Sequence, residues 1–494
     1  VVIEEKSMKD TVDFGGRPFH FIGIGGIGMS ALAYVLTKRQ LPVSGSDLRQ
    51  NHITQRLESI GTHIFGKQEA SNLEFFRPHY QSKGVVLNTQ EELPAFDNAK
   101  LPQVVCSTAI NTTNLEYKAG LELGCPIFHR SDVLAALIAE YKSIAVAGTH
   151  GKTTTSSMIG YMLLQAGLDP TILIGGEVNA WEGNARVGQS QYLVAEADES
   201  DGSLIKHSPE IGIITNIELD HPDHYDTLEE VVQIFQTFAK GCKTLVGSID
   251  CETVRDRLQP GITYSLNPDT GADYSVTSVD YRADGTTALV WERGKALGVL
   301  NLRLLSKHNL SNGLAAVAVG RILGLEFGEI AKGLATFEGA RRRFEFRGEV
   351  NGITFIDDYA HHPSEIRATL AAARLQTRPG QRVVAIFQPH RYSRTLTFLE
   401  EFAQSFSHAD LVVLTDIYSA GEPNLGQVSG EKLASEVAKV HPLVMYQPTL
   451  ASVCEYLQQT LHHGDLALFL GAGNLNQVIP EIMATQCPLV QATS

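Results

Sequence analysis

Short apolar runs that end in glycines or polar turn residues recur along the chain, each followed by a stretch of helix length. This is the pattern of parallel sheets covered by helices. The first run is Phe19-His20-Phe21-Ile22; it turns at 23–28 and leads into an apolar helix over 29–36, and Val43-Ser44-Gly45-Ser46-Asp47 then completes a βαβ unit. After Pro126, Ser131 is expected to cap a helix over 132–141, and a strand over 143–146 enters a second glycine turn. Between 274 and 305 apolar and polar residues alternate around the pairs Asp284-Gly285 and Arg293-Gly294, which predicts antiparallel hairpins attached to a central domain. Strands over 353–356, 383–387, 411–414 and 466–470, separated by helix-length stretches, predict a further small doubly wound sheet. The class is α/β, with expected domains at 1–130, 131–342 and 343–494.

A chain of 494 residues is too long for one ordinary core, in keeping with that division. Its net charge of -15 argues against nucleic acid as a partner, because such binding rests on many cationic contacts to phosphate. Local basic groups at Arg341-Arg342-Arg343 and at Arg391 with Arg394 then read either as solvated faces or as sites for a phosphate or carboxylate. Six cysteines, at 106, 125, 242, 251, 454 and 487, show neither a C-x-x-C pair nor a metal-ligand spacing, which predicts reduced thiols and a cytoplasmic protein. Residues 1–13 lack an apolar core, and no apolar run is long enough to span a bilayer, so membrane insertion is not expected.

The strongest chemical signal is Gly148-Thr149-His150-Gly151-Lys152-Thr153-Thr154, between a strand and an amphipathic helix. Glycines let backbone N–H groups wrap phosphate oxygens at a helix start, Lys152 can neutralise the β and γ phosphates, and the Thr153 hydroxyl can ligate Mg2+. The loop is a short variant of the usual signature, with Val146 where the first glycine stands. Two acidic turns follow apolar strands in the same domain, Glu196-Ala197-Asp198-Glu199-Ser200-Asp201 and Glu218-Leu219-Asp220-His221, where an open α/β sheet gathers ligands. They supply either metal ligands or helix caps. A second loop, Gly23-Ile24-Gly25-Gly26-Ile27-Gly28, has the form G-x-G-x-x-G with Asp47 after the next strand. It suits a pyrophosphate at the helix start and a ribose near Asp47, which a dinucleotide or a UDP-sugar would supply. With two phosphate sites, the first is expected to hold a substrate and the second ATP.

Together with Met29-Ser30, Thr215-Asn216-Ile217, His308-Asn309, Arg342-Arg343-Phe344, Asp357-Asp358-Tyr359-Ala360-His361-His362-Pro363 and His390-Arg391-Tyr392-Ser393-Arg394-Thr395, these motifs resemble the Mur ligase family over nearly the whole chain. The resemblance implies a Rossmann-like UDP-binding domain, a central P-loop ATPase-like domain with a small antiparallel appendage, and a C-terminal Rossmann-like domain. It implies an ATP- and Mg2+-dependent ligase of peptidoglycan precursor synthesis. Such an enzyme joins L-alanine to the lactyl carboxylate of UDP-N-acetylmuramate through an acyl phosphate, as a monomer or weak dimer.

By the same resemblance Thr153, Glu196 and His221 would hold the metal. His308, Asn309, Asn312 and Arg343 would join the loop at ATP, with Asn309 and Asn312 at the adenine. Gly23, Gly25, Gly26, Gly28, Met29, Ser30, Ser46, Asp47, Asp357 and Tyr359 would serve the UDP-substrate and the reacting carboxylate, and Lys152, His361, His362, Arg391 and Arg394 the chemistry, with His361 or His362 as general base. Ala31 and Pro222 depart from the residues commonest in the family, and Pro222 bears on the geometry of His221. A sister ligase that attaches a tripeptide shares the ATP loop. A nicotinamide oxidoreductase would leave Lys152 unexplained.

Overall fold

The computed structural model describes residues 11–76, 101–378 and 380–486; Cys487 and residues 1–10 lie outside them. The chain forms two compact units, one of Val1–Ala147, Gly167–Gly212 and Thr237–Thr244, the other of Gly148–Ala166, Ile213–Gln236 and Leu245–Ser494.

The first unit opens on a parallel sheet of five strands in the order His63–Phe65, Val43–Ser46, Phe19–Ile22, Gln103–Cys106, Ile127–His129. The order reverses beside Phe19–Ile22, so the turn at 23–28 leaves the sheet at the switch point where open α/β sheets bind ligands. The helix that follows is Ile27–Lys38, one turn longer than the apolar pattern suggested. His20 interrupts the central strand without cost, because Ser44 and Glu116 satisfy both ring nitrogens at 2.9 and 3.2 Å.

The expected cap at Ser131 is corrected. The helix is Arg130–Glu140 and His129 caps it, its ring accepting from Ser131 N while Asp132 accepts from His129 N at 2.8 Å. Sequence rules favour Ser at that position, and here an imidazole and a carboxylate form the reciprocal pair instead. The unit also holds Lys142–Ala147 and Tyr192–Glu196 in parallel, then Thr171–Val178, paired antiparallel to Gly183–Arg186.

In the second unit the helix Lys152–Gln165 follows the phosphate loop. The hairpins are present as Tyr274–Arg282, Gly285–Glu292 and Lys295–Leu302, with the turns where the sequence set them. The last sheet runs Glu345–Val350, Ile353–Asp358, Leu466–Leu470, Val383–Phe387, Leu411–Leu414, Val444–Tyr446, parallel except at its first pair. Apolar clusters pack against both faces, one around Phe387, Phe402 and Phe406 and one around Phe355, Phe469 and Leu457. This is why its inner strands read as unbroken apolar runs.

Candidate active site

The phosphate loop is built on two glycines that no other residue replaces cheaply. Gly148 and Gly151 have φ of 137° and 82°. A Cβ on Gly148 would collide with the Thr215 hydroxyl, and one on Gly151 would lie 2.8 Å from Asn312 Oδ1. The segment after Ile211–Ile214 clamps the loop main chain. Thr149 N donates to Asn216 O at 3.0 Å, His150 N donates to Asn216 Oδ1 at 2.9 Å, and His150 O accepts from Thr215 Oγ1 at 2.6 Å. Lys152 Nζ donates to the carbonyls of Gly148 and Thr149 at 2.6 and 3.2 Å, while Thr153 and Thr154 are buried at the helix start. Val146 lies in the buried strand Lys142–Ala147, so the loop proper begins only at Gly148.

His150 projects between two carboxylates, with Glu365 Oε1 3.2 Å from Nδ1 and Glu218 Oε2 3.2 Å from Nε2. Burial alone would lower its pKa, but hydrogen bonds to Glu218 and Glu365 and their charges outweigh that and raise it to about 10. The hydrogen bond from His150 holds Glu218 down at about 2. His150, Glu218 and His362 together have the composition of a metal site, with ligand atoms within 4.8 Å of one another. The centre is already filled, because Ser364 Oγ lies 3.0 Å from His150 Nε2, 3.0 Å from Glu218 Oε2 and 2.8 Å from His362 Nδ1. The sequence marks Glu218 only as part of an acidic turn and does not single out Ser364 or Glu365. The one local signal is that Glu365 stands three residues after His362, the spacing of a capping box.

The strand Ile353–Asp358 carries Asp357 and Asp358 inward at its end. Burial raises both, Asp358 to about 6. Arg342 and Arg343 lie over the Tyr359 ring at 4.9 and 5.1 Å, and Arg343 Nη2 is 3.5 Å from Thr153 Oγ1. His361 Nδ1 faces the Tyr359 carbonyl at 3.0 Å and Glu365 Oε2 at 3.3 Å, both acceptors, so Nδ1 carries the proton and Nε2 is the basic atom. Burial, only partly offset by Glu365, lowers its pKa to about 4.

Arg394 is 2% exposed, its Nε donating to Asp220 Oδ1 at 2.9 Å, and Arg391 Nη1 pairs with Asp223 and Glu422 at 2.5 and 3.5 Å. Both guanidiniums therefore face carboxylates of their own chain. His221 adopts φ of 57°, with Asp220 Oδ1 accepting from its N–H at 2.7 Å and the turn closed by His224 and Tyr225. Such strain in a non-glycine residue marks sites where the surrounding structure fixes a side chain. His308 is exposed at the start of Lys307–Ile322. Asn309 donates to Leu305 O, and Asn312 Oδ1 accepts from Thr155 Oγ1 at 3.0 Å, so that amide braces the phosphate loop.

In the first unit, Asp47 Oδ2 accepts from Gly25 N at 2.8 Å and Oδ1 from Arg49 N at 2.9 Å, so its carboxylate shapes the glycine turn. Gly23 N donates to Ser46 O at 2.8 Å and Gly26 N to Gly23 O at 3.2 Å; Ser46 Oγ is turned to Glu116, and Gly28 lies beside Arg130. Met29 and Ser30 are buried, with Ser30 Oγ accepting from Asn184. Glu196 ends its strand beside Val146 and accepts from Gly175 N at 2.7 Å. The expected metal ligands are thus a carboxylate in the first unit and a hydroxyl and an imidazole, Thr153 and His221, in the second. The two oxygen donors are of the hard kind Mg2+ takes.

Three family models match in the order of the chain: Mur ligase family, catalytic domain, at 18–142; Mur ligase middle domain at 146–320; and Mur ligase, glutamate ligase domain, at 342–473. The chain belongs to the Mur ligase family. This Mur ligase is 83% identical to a UDP-N-acetylmuramate--L-alanine ligase of Nostoc punctiforme, over 99% of this chain and 100% of the relative. Its structure matches that of UDP-N-acetylmuramate-alanine ligase MurC from Thermotoga maritima with a TM-score of 0.78 and 26% identity, covering 95% of this chain and 98% of that one. A murein peptide ligase from Psychrobacter arcticus shares the fold at a TM-score of 0.67 and 22% identity, over 96% and 100% of the two chains.

Proposed function

We propose that this Mur ligase joins L-alanine to the lactyl carboxylate of UDP-N-acetylmuramate, in peptidoglycan precursor synthesis, with ATP converted to ADP and phosphate. The observation that carries the reading is the 83% identity over the full relative, set on a phosphate loop whose glycines and Lys152 are ordered for a nucleotide. A carboxylate is a poor electrophile, so it first attacks the γ phosphate of ATP to give an acyl phosphate. The amine of L-alanine then attacks the acyl carbon and phosphate leaves.

Gly148, Thr149, His150, Gly151, Lys152, Thr153 and Thr154 hold the phosphates in this reading, with Arg343 alongside Thr153 and His308, Asn309 and Asn312 toward the base. Thr153, Glu196 and His221 would hold Mg2+, which neutralises phosphate charge when bound. The turn from Gly23 to Gly28, with Met29, Ser30, Ser46 and Asp47, serves the UDP moiety, and Asp357, Tyr359, Arg391 and Arg394 the reacting end and the amino acid. Of the two histidines, His361 is the better placed as general base, because its proton is fixed on Nδ1 and Nε2 is left as the basic atom. His362 Nδ1 is engaged at the start of its helix instead.

The domains are 1–130 for the UDP-substrate, 131–342 for ATP and 343–494 for the amino acid, in a cytoplasmic monomer or weak dimer. Free cysteines at 106, 125, 242, 251 and 454 and the absence, among the described residues, of a helix long and apolar enough to cross a membrane support that location. The test is phosphate release from ATP with UDP-N-acetylmuramate, comparing L-alanine, glycine, L-serine and a tripeptide. L-alanine should give the highest kcat/KM. Release that ignores the amino acid would end the ligase reading, and preference for the tripeptide would make it the sister enzyme.

A further inference from the structure

Glu365 is the third residue of the helix Pro363–Gln376, and its two oxygens face different ways. Oε2 closes its own helix start, accepting from His361 N at 2.9 Å and His362 N at 3.2 Å. Oε1 lies 3.2 Å from His150 Nδ1 and 4.0 Å from Arg343 Nη1, and Arg343 reaches Thr153 Oγ1. One side chain thereby touches the His-Pro turn of the last domain and, through two cations, both halves of the loop 148–153.

We propose that Glu365 is a positioning residue for ATP, its carboxylate holding the phosphate loop in shape through His150 and Arg343 while the helix start at His362 is docked against that loop. The proposal rests on the reading of 148–153 as the ATP loop. Capping and docking make different demands on this side chain. Closing the helix start needs only an acceptor, which an amide oxygen supplies. Bridging the ring needs negative charge, because both nitrogens of His150 face acceptors and both must carry protons. The groups facing that ring are Glu218, Glu365 and Ser364, with the titratable rings of His362 and His308 nearby and Arg343 beyond Glu365. Glu365→Gln keeps the cap and removes the bridge.

The experiment compares full-length wild type with Glu365→Gln by phosphate release, measuring KM for ATP, L-alanine and UDP-N-acetylmuramate separately. The KM for ATP should rise about 10-fold, the size of one charge-assisted hydrogen bond lost, while the other two stay within about twofold. In the variant His150 loses a counter-charge, so its KM for ATP should climb further between pH 7 and about 9, where the wild type stays flat. His150→Gln combined with Glu365→Gln should lose little more than either alone. An unchanged KM for ATP, an equal loss on all three substrates, additive losses in the pair, or a Glu365→Gln protein that no longer folds each overturns the proposal. Retained ATP-dependent turnover in Lys152→Ala would instead overturn the ATP-loop reading itself.

Discussion

Arg394 is only 2% exposed and is paired with Asp220, itself 5% exposed. Replacing Arg394 with Met keeps most of the side-chain volume and strands a buried carboxylate, whose remaining partners are the His221 N–H at 2.7 Å and the His221 ring at 3.6 Å. Breaking one side of a buried pair costs roughly 3–5 kcal/mol, and the lower end applies here because His221 compensates in part. In a unit of this size that lowers the melting temperature by roughly 6–12 °C, read by differential scanning fluorimetry on the transition that carries the last domain. Asp220→Asn should cost a similar amount, by stranding the guanidinium. The double variant should recover about 2 kcal/mol or more of the summed loss, because the pair is then removed as a unit. A contrary result is easily recognised: activity abolished in Arg394→Met with the melting temperature unmoved, and additive losses in the double variant. That outcome would make Arg394 a ligand-binding arm and its pairing with Asp220 incidental.

Lys152→Ala should abolish L-alanine-dependent phosphate release with the melting temperature changed by no more than about 2 °C, since its proposed role is to neutralise phosphate rather than to fill a core. Gly148→Ala should reduce activity by at least about 100-fold, because its Cβ meets the Thr215 hydroxyl and its φ of 137° is strained for any other residue; near-normal activity would mean that the loop can be rebuilt. His150 should make the wild type lose stability as pH rises. Its pKa is about 10 in the fold against about 6.5 unfolded, so the contribution is whole below about pH 6.5 and fades as pH rises through 10. The upper bound is roughly 5 kcal/mol, and thermal melts from pH 7 to about 10 should fall more steeply in wild type than in His150→Gln.

How much of this could be read from the chain depends on whether the deciding interaction is local. The strands Val383–Phe387, Leu411–Leu414 and Leu466–Leu470 match their apolar runs to the residue, because a strand buried on both faces has no polar positions to blur its ends. The hairpins were equally plain, each turn marked by its glycine. By contrast Glu345–Val350, the antiparallel edge of the last sheet, has the sequence Glu-Phe-Arg-Gly-Glu-Val and offers no apolar run to see. His129 as a cap and Arg394 as a buried residue both run against what those residue types usually do. The pairing of Glu218 and Glu365 with His150 could not be read for a different reason: it spans 68 and 215 residues of chain, and no spacing rule reaches that far.

Those long-range partners fix several cations of the chain. His150, Arg391 and Arg394 are matched by carboxylates of the same chain, and separating any of them strands a buried or half-buried charge. Lys152 Nζ also donates to the carbonyls of Gly148 and Thr149, at 2.6 and 3.2 Å, and so helps close the loop on itself. A hydrogen bond from an ammonium to a phosphate oxygen is stronger than one to a neutral carbonyl, so a phosphate is a better acceptor for Lys152 than either of those two. The shape of the phosphate loop depends on the ion pairs of His150 with Glu218 and Glu365, which is why changes at either carboxylate should alter ATP use.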